Sequence, residues 1–94
     1  MKNSFKVNQY GVKLVVSVKE AGNELQFSWK GTYDGNQVQG SGRYGMDRAD
    51  NNTLSIEDET EFGIGSEGMD NISSAIDGTL EFKKWAQYAM ENTP

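Results

Sequence analysis

The sequence predicts an α+β fold: an antiparallel β-meander of four or five strands with one C-terminal amphipathic helix packed on its apolar face. Three observations carry this expectation. Apolar and polar residues alternate through most of the first two thirds of the chain, the period of strands buried on one side. Short turn signals at Gly11, Ala21-Gly22-Asn23 and Asp34-Gly35-Asn36 punctuate the alternation. After a run of glycines, from about Asp70, the apolar period becomes that of a helix. The 94 residues make one domain (1–94), with the sheet over about 5–64 and the helix over about 70–91.

In the first strand Phe5 and Val7 face one way. Val12, Leu14, Val16 and Val18 then share a face against Lys13, Ser17 and Lys19, and the apolar parity switches across Gly11, which marks a bulge or a tight turn. A loop centred on Ala21-Gly22 sets Lys19 opposite Glu24, a favourable pair, but also Lys13 opposite Lys30, so the register here is open. The next hairpin, Leu25 to Tyr44, sets large residues against glycines. Leu25, Phe27, Trp29 and Tyr33 lie on one arm, and Val38, Gly40, Gly42 and Tyr44 on the other. With Asp34-Gly35 as the turn, Trp29 faces Gly40; with Gly35-Asn36 it faces Gly42. In both registers a ring covers bare backbone.

Residues 45–53 lack periodicity and read as a loop. A last strand runs from Thr53 to about Ile64, with Leu54, Ile56, Phe62 and Ile64 on one face and Ser55, Glu57, Glu59 and Glu61 on the other. Asp58 has inward parity, which predicts a bulge near it or a position beyond the covered sheet. Asp70 is the expected N-cap of the helix, with a kink or restart at Gly78. Ile72, Ala75, Ile76, Phe82, Ala86, Ala89 and Met90 form the covering face, whereas Trp85 and Tyr88 fall largely off it.

Composition narrows the chemistry. Without cysteine there is no thiolate catalysis and no sulfur-based metal site; without histidine the commonest general base and the Ser-His-Asp triad are lost. No two carboxylates are placed in an apolar cleft, and the expectation is a protein without catalytic residues, cofactor or metal. Asp47, Asp50, Asn51 and Asp58 have part of the spacing of a calcium loop, but Ala49 and Asn52 occupy two of its key positions, and a polar turn explains them better. Gly40-Ser41-Gly42-Arg43-Tyr44-Gly45 alternates as a strand and precedes no helix, so it cannot cradle phosphate as a helix-opening loop does. No apolar run is long enough for a membrane span, and the start lacks a signal-peptide core, which makes the cytoplasm the expected location.

The charge is uneven: residues 1–48 carry a net +3 and residues 49–94 a net −8. An acidic chain is a poor ligand for a phosphate backbone, so direct nucleic-acid binding is not expected and a basic protein surface is the expected partner. Glu57, Glu59 and Glu61, spaced about 6.5–7 Å apart along a strand, resemble nucleic acid in charge density and are the candidate centre of recognition. Trp85 and Tyr88, as aromatics off the core stripe, are candidate anchors for a partner or a homodimer; the alternative for Trp85 is that the helix starts afresh after Gly78, rotates and buries it. The leading expectation is a small acidic protein-binding module, an inhibitor that occupies a basic, nucleic-acid-handling surface. The alternatives are a small-ligand or glycan-binding sheet using Gln26, Ser28, Gln37, Gln39 and Ser41, or a structural homo-oligomer.

Overall fold

The computed structural model describes residues 3–22, 24–45, 54–61 and 63–91. Five strands, β1 (Ser4–Gln9), β2 (Val12–Ala21), β3 (Glu24–Tyr33), β4 (Asn36–Gly45) and β5 (Leu54–Asp58), form one antiparallel sheet in the order of the chain. Two helices follow, α1 (Gly65–Asp77) and α2 (Leu80–Glu91). This is the α+β meander that the alternation and turn signals predict, with the single helix replaced by two.

Each turn has a local cause. Tyr10 and Gly11 both hold positive φ (56° and 75°), as do Asp34 and Gly35 (52° and 83°), the paired left-handed geometry of two-residue hairpins. Gly11 is therefore a tight turn and not a bulge. With Asp34-Gly35 at the second of these turns, Trp29 pairs with Gly40 and Phe27 with Gly42. The β2–β3 register differs by two residues from that of a loop centred on Ala21-Gly22, which keeps the same faces inward: Ala21 pairs with Glu24, Lys19 with Gln26, and Val15, not Lys13, with Lys30. That difference removes a direct lysine–lysine pair.

The inward set is buried as a single cluster from Phe5 and Val7 across to Val38 and Tyr44. Trp29 lies over Gly40 so closely that a Cβ there would fall inside the indole ring and against the Glu57 carbonyl. The indole Nε1 is buried without a hydrogen-bond partner among the described residues. Ring position is thus fixed by shape, not by a polar tether.

β5 is shorter than the predicted strand, and Asp58 is the reason. Its half-buried carboxylate accepts the Thr60 N–H at Oδ1 and the Ile64 N–H at Oδ2, both at 2.9 Å. Gly63, with φ 71°, donates its N–H to the Thr60 carbonyl at 3.0 Å, and the chain leaves the sheet. α1 consequently starts at Gly65, and Asp70 lies within the helix instead of capping it.

The helical segment breaks at Gly78-Thr79. The Thr79 hydroxyl donates to the Ile76 carbonyl at 2.8 Å and accepts the Phe82 N–H at 3.1 Å, so one side chain closes α1 and caps α2. The restart rotates the second helix, and Phe82, Trp85 and Ala89 become its buried face. Phe82 packs on Phe27 and Tyr44 with centroid distances of 5.6 and 5.5 Å. Met90, expected on the covering face, is exposed. Among the described residues no helix is long and apolar enough to cross a membrane.

Candidate functional site

Both helices lie on the apolar side of the sheet, which leaves the polar side open. At one border of that open side stand the predicted carboxylates. Glu57 is exposed on β5, opposite Ser41 of β4. Glu59 follows the end of β5 but stays on the sheet: its N–H donates to the Gln39 carbonyl at 2.9 Å, and its Oε1 accepts the Ser41 hydroxyl at 3.2 Å. Thr60 adds two links to the same residue of β4, accepting the Gln39 N–H at 3.1 Å and donating to the Gln39 carbonyl at 3.3 Å. Glu61 is exposed in the turn beyond.

The expected three-residue stripe is therefore two neighbouring carboxylates on the open side, Glu57 and Glu59, with Glu61 carried round the corner by the Asp58 turn. Glu61 lines a shallow polar hollow at the end of β3 and β4 together with Lys30, Thr32, Asn36, Gln37 and Gln39. Among the described residues the one ion pair within 4.0 Å joins Arg43 to Glu24; Arg43 also lies across from Ser55 of β5 and shares a hollow with Glu57. The 57–61 segment thus presents charge that is held by strand pairing and by Asp58, with Lys30 and Arg43 nearby but no lysine or arginine within 4.0 Å of these carboxylates among the described residues.

The aromatic candidates are placed differently from each other. Trp85 is 8% exposed and belongs to the core, because the restart at Thr79 turns it inward; it is not a surface anchor. Tyr88 is half-buried, stacks edge-on against Trp85 with centroids 5.8 Å apart, and donates its hydroxyl to Glu20 Oε2 at 2.8 Å. That hydrogen bond to Glu20, ahead of burial and the Glu20 charge, raises the phenol above its ordinary value. Tyr88 thereby ties α2 to the end of β2.

The sequence marks Asp58 as a break in the strand and Ser41 as part of the open polar face, but it does not reveal their hydrogen bonds to the 57–64 segment, nor the role of Thr60. Asp58-Glu59-Thr60 does carry a signal, since an aspartate that accepts the N–H two residues on is a common turn device. The loop with partial calcium spacing, apart from Asp58, lies at residues 47–52 outside the described residues. Among the described residues no group of three or more His, Cys, Asp or Glu side chains could hold a metal ion. The chain matches no known protein family, no curated protein and no solved structure.

Proposed function

We propose that this protein is a small, non-enzymatic protein-binding module whose acidic 57–61 edge occupies a basic, nucleic-acid-handling surface of a partner and so inhibits it. The observation that carries the reading is the pre-organised edge. Glu57 and Glu59 project from a segment already fixed by Gln39, Ser41 and Asp58, so little side-chain and backbone freedom remains to be lost on binding. Carboxylates at strand spacing suit a surface built to receive phosphates, and their attraction speeds encounter.

The test is the triple variant Glu57→Lys/Glu59→Lys/Glu61→Lys. All three residues are exposed, so each change should move stability by no more than about 0.5 kcal/mol. Proteins captured from the native organism by the wild type are identified, and their association rates with both forms are measured between low and high salt. Loss of the fast, salt-sensitive association in the triple variant, together with competition by nucleic acid, supports the reading. Equal rates for both forms, unchanged by salt, overturn it.

The hollow beside Glu61, about 630 Å³, favours one second reading, a small polar ligand or glycan held by the amides of Asn36, Gln37 and Gln39. Thermal stabilisation by sugars that is lost in a Gln37→Ala/Gln39→Ala variant would favour it over the first.

A further inference from the structure

The rest of the open face carries the opposite charge. Five of the nine lysines and arginines, Lys6, Lys13, Lys19, Lys30 and Arg43, occupy its outward strand positions, although the chain as a whole is −5. The other described cations, Lys83 and Lys84, lie on α2. Three of the five surround one apolar residue. Lys6 and Lys30 flank Val15 directly across β1 and β3, and Lys13 precedes it by two residues on the same face. Val15 is 49% exposed, and a hollow of about 290 Å³ lies among these side chains. None of the three lysines has an ion-pair partner within 4.0 Å among the described residues.

Such a cluster is unfavourable in the free protein. Like charges on neighbouring strands repel, and a half-exposed valine gains nothing from water. An incoming group that is both anionic and aliphatic relieves both. Lysine stems can lie along an apolar side chain while their ammonium groups meet carboxylates at its flanks. The acid of the helical side does not cancel this field at physiological salt. The molecule is 18 Å through its thinnest dimension, about twice the screening length of roughly 8–10 Å.

We infer that the face around Val15 is a docking surface for an acidic segment of another protein, one that sets an aliphatic side chain on Val15 between carboxylates paired with Lys6, Lys13 and Lys30. Nucleic acid fits less well. The outward positions of the described strands include no aromatic residue on which a base could stack, and a valine floor offers phosphate nothing. A second copy of the chain also fits less well. Face to face and centred on Val15 it would set lysines on lysines; turned so that the Glu57–Glu59 end met them, it would bring no outward aliphatic side chain to Val15; and face to helix the contact would be one-directional, unable to close as a two-fold pair. The surface adjoins the 57–61 edge through Lys30, which also lines the hollow beside Glu61, but Val15, Lys6 and Lys13 lie outside that hollow, so Val15→Ser tests this surface apart from the edge.

The experiment is an amide NMR titration of the intact protein with the peptide acetyl-Glu-Glu-Leu-Glu-Glu-amide, with its Leu→Gly form, and with a ten-nucleotide oligothymidine. The leucine peptide should shift the amides of residues 6, 13–15 and 30 saturably, with a dissociation constant near about 1 mM for so small a contact. The glycine form should bind roughly fivefold more weakly, as should the leucine peptide to Val15→Ser. Lys13→Glu/Lys30→Glu should weaken it at least about tenfold, with the amide spectrum of the fold retained. Because Val15→Ser alters an exposed residue, it tests the site even if the double variant fails to fold. Absence of saturable shifts, equal binding of the glycine form, or tighter binding of oligothymidine overturns the inference. Shifts at the same residues on raising the protein concentration alone would also overturn it, in favour of a second copy.

Discussion

Replacing Gly40 with alanine tests the packing on which the sheet depends. The added methyl would meet two things at once: the six-membered edge of the Trp29 indole and the backbone carbonyl of Glu57. The ring cannot retreat into the core, since Trp29 is itself among the most deeply buried residues, and the carbonyl can move only if β5 moves with it. Overpacking of this kind costs about 1–3 kcal/mol. Reduced freedom of the unfolded chain returns about 0.4–1 kcal/mol of that, leaving a net loss of roughly 1–2 kcal/mol. For a domain of this size that lowers the melting temperature by about 4–16 °C. Gly42→Ala is the control. There the nearest contacts are the Ile56 methyl at 3.0 Å and the Ser55 carbonyl at 3.1 Å, on a half-buried edge strand able to shift by tenths of an ångström. Its expected loss is smaller than that of Gly40→Ala, because a shift of tenths of an ångström relieves the contacts and the reduced freedom of the unfolded chain returns about 0.4–1 kcal/mol. Urea unfolding followed by tryptophan fluorescence and by circular dichroism gives both values. A Gly40→Ala protein as stable as the wild type, or one no weaker than Gly42→Ala, would refute the argument that Trp29 is held by shape.

Three further outcomes follow from the same contacts. Asp58→Ala leaves two half-buried N–H groups without their acceptor and should cost about 1–3 kcal/mol, with faster amide exchange at Thr60 and Ile64 as its specific mark. Unchanged exchange at those two amides would show that the turn holds without it. Trp85→Ala should destabilise by about 3–5 kcal/mol in chemical unfolding, as loss of a core side chain does; a loss below 1 kcal/mol would return Trp85 to the surface. Burial first, and then the charge of Asp77, raises the Tyr44 phenol above its ordinary value of 10.0. The fold favours the neutral phenol, so this contribution is intact below pH 10 and fades as pH climbs through the raised value; Tyr44→Phe should flatten that alkaline decline in urea midpoints.

The strands were legible because one face of each is buried and one is not. With that constraint, a slip of one residue would exchange the two sets, and the sequence pattern is correspondingly sharp from Phe5 to Tyr44. Where burial is partial the pattern misleads. Phe62 and Ile64 extend the apolar parity of Leu54 and Ile56, yet the strand stops at Asp58, because one carboxylate with two backbone donors within reach outweighs two more alternations. A restart at Gly78 is signalled by the glycine, but the rotation it brings is not. A wheel drawn through Gly78 assumes a constant phase, and the Thr79 cap resets it, bringing in Trp85 and sending out Met90. The acidic edge was visible as three glutamates at alternate positions, but its third member depended on that same early end of β5. The lysine cluster around Val15 is not legible in the sequence because its members come from three strands, and their proximity exists only once the β2–β3 register is known.

A half-covered sheet separates what folding requires from what it leaves free. On the inner side nearly every position is set by packing: Gly40 by Trp29, Phe27 and Tyr44 by Phe82. The outer side has no such duty, and its composition is accordingly more informative about use. Ser4, Ser17, Ser28 and Ser41 fall in register across β1 to β4 and lead to Glu57 on β5. Strands favour β-branched and aromatic residues, so stability alone would not choose four serines for one rank. Short side chains keep this rank low. Lys6, Val15, Lys30 and Gln39 stand on one side of it, and Lys19, Gln26 and Arg43 on the other. The open face therefore has relief as well as polarity: a low polar track crosses the strands between longer side chains, cationic over β1 to β3 and ending at the fixed carboxylates of β5. A partner that reads both ends of that track needs opposite charges about four strand spacings, or roughly 19 Å, apart. Simple solubility asks only for charge, and would be served as well by the same residues in any order.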